Sequence, residues 1–237
     1  MKKKILVTGG DGRFAKILKE NNNNLNFAFV SRKECNILDI KSIQKIFKKI
    51  KPNIILHCAG LSRPMRIHEK NISKSIDLNI IGTANVTKVC EKNNIKLVYF
   101  STGYVYEGTK GNYSETDPVK PFNNYGLSKL GGECAVSMYK NSLILRITMT
   151  EKPFLYKKAF SNLKTNYMFH EDLVKILPQL ITKNKPISNS IVLIVLKLNG
   201  CIPILTLIRN SLIRLNKKTD NAVAIAAPSI PYIGIRI

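Results

Sequence analysis

The stretch KILVTGGDGRFAKILK, residues 4–19, places a short apolar run, a glycine-rich turn and a helix-forming segment in immediate succession. A dinucleotide-binding loop requires this order of strand, turn and helix. Gly9 permits the tight turn, and Gly12 lets the backbone approach a pyrophosphate at the positive end of the helix. We therefore predict that Gly9, Gly12, Arg13 and Phe14 contact such a cofactor. The alternative is an ordinary glycine-rich turn between a strand and a helix.

The second strand, predicted over residues 27–30, leads into Ser31, Arg32 and Lys33. A cofactor without a 2′-phosphate usually meets an Asp or Glu at the end of this strand. Two cations and a hydroxyl suit a phosphate better than a bare ribose. The sequence therefore favours NADP(H) over NAD(H), with Ser31 and Arg32 as contacts. The alternative is that the two cations only reflect the chain's general excess of basic residues.

The chain has 237 residues and a formal net charge of +23. This length suits one α/β domain with an appendage. So high a positive charge often indicates a nucleic acid or an anionic membrane as partner. The lysines, however, are scattered along the whole chain, and aromatic residues do not alternate with them in any basic stripe. We therefore predict no specific nucleic-acid partner.

The five cysteines and three histidines do not occur at metal-ligand spacings, so we predict no metal site. Widely spaced cysteines predict reduced thiols in a cytoplasmic protein. The apolar run that follows the first four residues is too short for the hydrophobic region of a signal peptide. Residues 191–208 are apolar, but Lys197, Gly200 and Pro203 interrupt them, so we predict no membrane span.

The first 150 residues alternate between strand-like and helix-like segments. Apolar runs at residues 53–60 and 96–100 predict strands, and residues 71–93 have helical spacing, with Ile76, Ile80 and Val86 on one stripe. Near-continuous apolar strands separated by helices predict a parallel sheet covered on both faces. Ligands of such sheets bind beyond the carboxyl ends of the strands. Gly9, Gly60 and Thr102 are all expected to lie along that edge.

Tyr125 and Lys129 are four residues apart, so on a helix both side chains lie on one face. A lysine ammonium near a phenol favours the phenolate and lowers the pKa of the tyrosine. A phenol tuned in this way exchanges a proton with a substrate oxygen, and the Thr102 hydroxyl is placed to hold that oxygen. The alternative is a chance spacing on a solvated helix face.

Four motifs together resemble a known family. TGGDGRFA at residues 8–15, HCAG at 57–60, STGYVYEG at 101–108 and YGLSK at 125–129 resemble the extended short-chain dehydrogenase/reductases. Within that group, STGYVYEG, ETD at 115–117 and PFNNYGLSKLGGE at 121–133 are most similar to dTDP-4-dehydrorhamnose reductases and related nucleotide-sugar reductases. The resemblance covers residues 3–150 and extends more thinly to about residue 184.

The resemblance implies a Rossmann-type, doubly wound α/β fold that binds NAD(P)(H). It implies that Tyr125 is the proton donor or acceptor, and that Lys129 is its electrostatic partner and a ligand of the nicotinamide ribose. It also implies that Thr102 holds the carbonyl. Further cofactor contacts implied by the family are Asp39 near the adenine, and Ala59 and Gly60. Asn79 matches a helix asparagine that is usual in the family, in a structural or a catalytic role.

The chain departs from the family after the predicted strand at residues 143–146, where the family's aromatic stretch for the sugar pocket is missing. We therefore expect a Rossmann domain over residues 1–150 and a small, truncated substrate lobe over residues 151–186. An atypical tail over residues 187–237, disordered or frame-shifted, would not complete that lobe.

The resemblance implies an NAD(P)H-dependent reductase of a nucleotide-linked 4-keto sugar. A homodimer is a further expectation for the chain. Two alternatives are open. One is a nucleotide-sugar epimerase or dehydratase that recycles its cofactor. The other is a non-catalytic, cofactor-binding regulatory protein on the same fold, because fold does not fix function.

Overall fold

The computed structural model describes residues 3–21, 25–109, 111–152 and 167–182, and the strand backbone at residues 190–195, 204–205 and 213–214. In chain order the strands are β1 (Lys4–Thr8), β2 (Asn26–Val30), β3 (Ile54–His57), β4 (Lys96–Ser101), β5 (Ser142–Arg146), β6 (Met149–Thr150), β7 (Met168–Phe169), β8 (Ser190–Val195), β9 (Ile204–Leu205) and β10 (Ile213–Arg214). The helices are α1 (Arg13–Glu20), α2 (Ile40–Ile50), α3 (Arg66–Lys70), α4 (Ile72–Ser75), α5 (Gly82–Lys92), α6 (Asn124–Ser137) and α7 (His170–Thr182), with a π-helical segment at Ile76–Ile81 and a 3-10 turn at Gly103–Val105.

The main sheet has the strand order β10-β9-β8-β5-β4-β3-β1-β2. Six neighbouring strands of this sheet are parallel, namely β2, β1, β3, β4, β5 and β8. At the β8 edge, β9 pairs antiparallel with β8, and β10 pairs antiparallel with β9. The predicted doubly wound parallel sheet is therefore confirmed. The chain moves from β1 outward to β2 and then returns to the other side of β1 as β3. Such a reversal opens a crevice at the carboxyl ends of the two strands, where ligands of open α/β sheets bind.

Two apolar layers cover the sheet because its central strands are apolar on both faces. One layer contains α1 and α7, whose Phe14, Leu18, Leu173 and Leu177 pack with Ile5 and its neighbours on the sheet. The opposite layer contains α2, α5 and α6. These two layers fix the first turns of α1 and α6 at the same edge of the sheet, which is where the candidate site lies.

The region predicted as a partial substrate lobe contributes β7, which pairs in parallel with β6 at the end of the predicted Rossmann domain, and helix α7. From the predicted tail, β8 pairs with β5 in parallel. Most of the remaining tail, and residues 153–166 of the lobe, lie outside the described residues. The prediction of a truncated lobe followed by a disordered or frame-shifted tail therefore stays a prediction.

The helical spacing over residues 71–93 is confirmed, with one difference. The π-helical segment Ile76–Ile81 interrupts the α-helix, and Ile76, the first residue of the apolar stripe, is 42% exposed. Val86, further along the stripe, is fully buried. Among the described residues, no helix combines the length and apolar character needed to cross a membrane. No group of His, Cys, Asp or Glu within the described part of the chain is arranged to hold a metal ion.

Candidate active site

The glycine loop after β1 is wedged between the ends of two neighbouring strands. Gly9 has a φ of +68°, and a Cβ atom there would lie 2.8 Å from the Cα of Ala59. The Gly10 N–H donates to the carbonyl of Val30 at 2.8 Å. A side chain at Gly9 would therefore have to push β3 away, which explains why glycine is needed at this position.

Helix α1 begins directly after this loop. Gly12 is its N-cap and supplies no side chain to accept hydrogen bonds from the first turn. The first N–H groups of a helix lack intrahelical partners and carry the positive end of its dipole. The start of the helix therefore offers backbone donors to an anion such as a pyrophosphate. Phe14 is 7% exposed and makes an edge-to-face contact with Phe100, so only its backbone is presented toward the loop.

Arg13, the predicted cofactor contact at the start of α1, is part of an ion-pair cluster. Its Nε lies 3.1 Å from a carboxylate oxygen of Glu151, which follows β6. Arg63, from the loop after β3, donates to the same carboxylate at 3.0 Å. Burial raises the pKa of Glu151, but Arg63 and Arg13 act more strongly together, so the net shift is downward. This cluster links the start of α1 and the loop after β3 to Glu151, the residue that follows β6.

The end of β2 contains an acid that the prediction overlooked. The backbone N–H and the hydroxyl of Ser31 both donate to the Glu34 carboxylate at 2.8 Å. These bonds lower the pKa of Glu34. Arg32 is exposed next to them. Asp39 caps helix α2 by accepting from the Lys41 N–H at 2.9 Å, so the structure gives it a local role besides the predicted contact with adenine.

His57, at the end of β3, lies in the floor of the crevice. Its Nδ1 is 2.8 Å from the Thr8 hydroxyl, and its Nε2 is 3.2 Å from the Thr83 hydroxyl. Burial lowers the pKa of His57 to about 3, with a smaller effect from the Lys129 charge. The Thr8 hydroxyl also accepts from the Ala59 N–H at 3.3 Å. The neutral imidazole therefore holds β1, β3 and α5 together beneath the site.

Thr102 and Tyr125 meet at the carboxyl end of β4. Thr102 is 2% exposed and caps the short turn that follows, accepting from the Tyr104 N–H at 3.3 Å. Tyr125 lies in the first turn of α6, with its ring 5.8 Å from that of Tyr104 and 5.0 Å from that of His68. Asn123 caps this helix by accepting from the Gly126 N–H at 2.7 Å. The strand end and the helix start thereby place the predicted hydroxyl and phenol together.

The expected lowering of the Tyr125 pKa is wrong for this structure. Burial raises the pKa of Tyr125, and a hydrogen bond with Thr102 and the charges of Arg63 and Arg13 only partly offset it. Lys129 is absent from these causes. Its ammonium lies 4.2 Å from the centroid of the Tyr99 ring instead. The four-residue spacing put both side chains on one helix face, but it did not determine where the ammonium points.

Lys129 is itself buried, with 9% of its surface exposed. Burial lowers its pKa to about 7, and the nearby Cys58 and Glu133 act in the opposite direction. The Tyr99 hydroxyl donates to the Lys129 carbonyl at 3.0 Å. Strand β4 therefore contacts both the backbone and the ammonium of this residue. A lysine with a pKa near neutrality can change its charge in the range where the protein would work.

Asn79 has a structural role. Its amide donates to the Ser128 hydroxyl at 2.8 Å and to the Leu61 carbonyl at 2.9 Å, and its oxygen accepts from the Leu61 N–H at 2.7 Å. A Cβ atom on Gly60 would lie 2.9 Å from the Asn79 oxygen. Asn79 thus fixes the loop after β3, with Ala59 and Gly60, to helix α6.

Two ion pairs near the site were not predicted from the sequence, because their partners are far apart in the chain or carry only a weak local signal. Arg63 and Glu151 meet across 88 residues of sequence. Glu133 and Arg146 form a buried pair behind Lys129. The spacing of Glu133, one helical turn after Lys129, was the available signal for this second pair.

Comparisons with known proteins agree with this geometry. The family model described as "RmlD substrate binding domain" matches residues 2–169. The methionine adenosyltransferase 2 subunit beta of Danio rerio is 34% identical over 140 residues, which are 55% of this chain and 42% of that protein. The dTDP-4-dehydrorhamnose reductase of Aggregatibacter actinomycetemcomitans is 28% identical over 152 residues, 62% of this chain and 51% of that protein. The chain thus spans about half or less of these relatives.

A solved structure gives the same result for the fold. The dTDP-4-dehydrorhamnose reductase of Bacillus anthracis, crystallised with NADP, superposes with a TM-score of 0.71 at 25% identity. The superposition covers 83% of this chain and 76% of that protein. The family match over most of the chain, the common fold and the motifs at the sheet edge lead to one conclusion: the chain belongs to the RmlD substrate-binding-domain family, within the extended short-chain dehydrogenase/reductases.

Proposed function

We propose that this chain is the cofactor-binding and proton-transferring part of an NAD(P)H-dependent reductase of a nucleotide-linked 4-keto sugar. The observation that carries the proposal is the convergence of Thr102 and Tyr125 at the end of β4, with buried Lys129 one helical turn further on. The open N-terminus of α1 beside Gly9 and Gly12 fits the pyrophosphate of a dinucleotide. The similarity to a reductase crystallised with NADP supports this assignment.

In the proposed reaction, the reduced nicotinamide supplies a hydride to the carbonyl carbon of the sugar. The carbonyl oxygen gains negative charge as the C–H bond forms, and Thr102 holds that oxygen. Tyr125 donates its phenolic proton to the oxygen, which leaves an alcohol and the oxidised cofactor. The Tyr125 phenol is protonated at neutral pH, as a proton donor must be, although its raised pKa makes it a weaker acid than a free tyrosine. The positive charges of Arg63 and Arg13, which favour the ionised form of Tyr125, would stabilise the phenolate that remains.

The preference for NADP(H) over NAD(H) is also a proposal. Arg32 is exposed at the end of β2, as a 2′-phosphate contact requires. Glu34 is engaged by Ser31, so its carboxylate is already satisfied by protein donors. We expect NADPH to bind more tightly than NADH, and Arg32→Ala to reduce that difference. Thermal shifts with each cofactor measure both effects, because binding to the native state raises Tm.

The test of the proposed activity is the consumption of NADPH by the purified chain in the presence of a dTDP-linked 4-keto sugar. We expect Tyr125→Phe to reduce turnover by about 100-fold or more, because it removes the proton donor. Cofactor binding should persist, since the phenyl ring remains. The matched control is Tyr139→Phe, a buried hydroxyl distant from the site, which should retain turnover. If Tyr125→Phe turns over as fast as the control, the proposal is wrong.

A second candidate function is that of a cofactor-binding subunit without its own turnover. The relatives named as subunit beta of methionine adenosyltransferase 2 favour this alternative. In that case the wild-type chain should bind the cofactor without consuming it. An epimerase or dehydratase would convert the sugar with no net loss of NADPH, so sugar analysis in the same assay separates it from the reductase.

Self-association and a cytoplasmic location remain predictions. Two exposed apolar residues, Leu127 on α6 and Met138 directly after it, are 51% and 86% exposed and would be covered in a homodimer that uses this helix. Sedimentation of the purified chain at several concentrations would test for it.

A further inference from the structure

Behind the proposed catalytic residues lies a buried ion pair between Glu133 of α6 and Arg146 of β5. Their exposed fractions are 3% and 4%. The Arg146 Nε donates to the carboxylate at 3.1 Å, and its Nη2 makes a second, shorter bond. The Ser101 hydroxyl donates to the other oxygen at 2.7 Å. Removing two charges from water is expensive, so a buried pair is weak evidence of added stability. The pair therefore calls for another explanation.

The third nitrogen of Arg146 makes contacts outside the sheet and helix. Nη1 donates to the Tyr106 hydroxyl at 2.7 Å and to the Glu115 carbonyl at 3.2 Å. The Tyr106 hydroxyl in turn donates to the Ser114 carbonyl at 2.8 Å. One planar guanidinium thus binds helix α6 on one side and the loop of residues 106–117 on the other. A lysine could not make both sets of bonds, because it lacks the rigid fork of donors.

This loop is part of the site by its position in the chain. It lies in the connection between Thr102, after β4, and Tyr125, in the first turn of α6. The chain on its two sides is held together, since the Lys120 N–H donates to the Val105 carbonyl at 2.8 Å. Its own rings stack, with the centroids of Tyr106 and Tyr113 4.7 Å apart. A Cβ atom on Gly126 would lie only 2.4 Å from the Tyr104 carbonyl oxygen, so the chain just before the loop packs closely against the first turn of α6. The loop is therefore a compact wall at the carboxyl edge of the sheet.

The partners of Arg146 are neighbours of all three proposed catalytic residues. Ser101 precedes Thr102, and Glu133 follows Lys129 by one helical turn and Tyr125 by two. We propose that Arg146 is a positioning residue that couples the 106–117 loop to helix α6, so that the substrate-side wall and the proton donor keep a fixed relation. This inference rests on the proposed reductase function for its kinetic consequences, but the mechanical coupling does not depend on it.

The mildest test is Tyr106→Phe, which removes the hydroxyl between Arg146 and the Ser114 carbonyl and leaves the ion pair intact. The matched control is Tyr139→Phe, whose hydroxyl bonds the Ile95 carbonyl at 3.0 Å in the opposite layer. Both variants lose one buried hydroxyl, so we expect similar decreases in Tm. Misplacement by about 1 Å can cost about 100-fold in rate. We expect Tyr106→Phe to lower kcat by about 10-fold with little change in the KM for NADPH, and the control to lower neither.

Amide hydrogen exchange provides a readout that does not require turnover. We expect Tyr106→Phe to speed exchange in residues 106–117 and in the first two turns of α6 together, and Arg146→Lys to speed it further in both. Faster exchange in the loop alone, or a kcat equal to that of the Tyr139→Phe control, would overturn the inference. If the wild-type chain consumes no NADPH, the proposed function fails, whereas the exchange result still decides whether Arg146 couples the loop to the helix.

Discussion

Two clusters of arginine and glutamate flank the site, with the same chemistry in different surroundings. On the phosphate-loop side, Glu151 pairs with Arg13 and Arg63, and the Arg13 side chain is 46% exposed. On the α6 side, Glu133 pairs with Arg146 and both side chains are almost fully buried. An exposed pair contributes little to stability and can exchange its partner for another ion. A buried pair cannot, because any single charge left behind would be desolvated.

The difference in exposure indicates that the two clusters have different roles on the two sides of the crevice. The cluster on the loop side lies where an anionic ligand would enter, so its arginines are available to a phosphate. The α6 cluster fixes a strand, a helix and a loop relative to one another. Variants that remove one charge from each cluster should therefore affect different properties. Arg146→Met and Glu151→Gln test this expectation, and variants of the crevice floor and of the glycine loop test the region between the two clusters.

The largest expected effect is on stability, from Arg146→Met. The variant leaves the Glu133 carboxylate buried without its cation, and breaking such a pair costs about 3–5 kcal/mol. Urea unfolding measures this change in the free energy of unfolding. The double variant Arg146→Met with Glu133→Leu should recover part of the loss, because no charge remains to be paired. If the single variant lowers the free energy of unfolding by less than about 1 kcal/mol, Glu133 and Arg146 do not fix α6, β5 and the 106–117 loop relative to one another.

The second effect concerns the crevice floor, where His57 is held by two hydroxyls and has no carboxylate bonded to its ring. Its pKa is about 3 in the folded state against an ordinary 6.5. Between about pH 6.5 and pH 3, the His57 imidazole is therefore protonated in the unfolded chain and neutral in the folded chain. Its contribution to stability is complete above pH 6.5 and falls by about 1.4 kcal/mol per pH unit between these values.

Free energies of unfolding measured along this pH range check the His57 prediction. The variant His57→Gln should have a shallower pH dependence than the wild type, whatever its stability at neutral pH. Equal slopes in both proteins would assign the acid sensitivity to other groups. His68 and His170, whose pKa values burial also lowers, are the first to examine in that case.

The third effect compares two glycines with positive φ. A Cβ atom on Gly9 would lie 2.8 Å from the Ala59 backbone, whereas one on Gly108 would meet nothing within 4 Å. Gly108→Ala should cost about 1 kcal/mol from backbone strain alone. Gly9→Ala should cost about 2 kcal/mol or more and weaken NADPH binding strongly, because β3 must also move. Urea unfolding and a cofactor titration test this prediction. Equal losses of stability and of NADPH affinity in both variants would mean that the loop at Gly9 can accommodate a Cβ atom without moving β3.

The smallest effect on stability is expected from Glu151→Gln, below about 1 kcal/mol because this pair is partly exposed. The same variant frees Arg13 and Arg63 from a competing carboxylate. We therefore expect a few-fold tighter binding of NADPH at low salt, with the gain decreasing as salt screens the arginines. A fluorescence titration at two salt concentrations measures it. Weaker binding would mean that Glu151 orients the arginines and does not compete for them.

Local spacing explains which parts of the site could be predicted. The glycines of the loop, Thr102, and the pair Tyr125 and Lys129 each have a recognisable neighbourhood in sequence, and parallel strands bring their ends to one edge. The direction of the shift in the Tyr125 pKa could not be predicted, because it depends on burial and on two arginines that are distant in sequence, Arg63 in the loop after β3 and Arg13 at the start of α1. Ser31 and Glu34 are only three residues apart, so their bond has a local signal in the sequence, which the adjacent cations Arg32 and Lys33 mask.

Tyr99 limits how far the Tyr125–Lys129 spacing can be transferred between proteins. Its ring supports the ammonium of Lys129 and its hydroxyl anchors the carbonyl of the same residue, while Gly132 leaves room for that hydroxyl. The height of the lysine above the sheet is thus dictated by a strand residue that the helix motif does not contain. Grafting the five-residue motif onto another helix would reproduce a pattern of letters without reproducing a site. The unit that evolution or a designer would have to move is the helix together with the tyrosine beneath it.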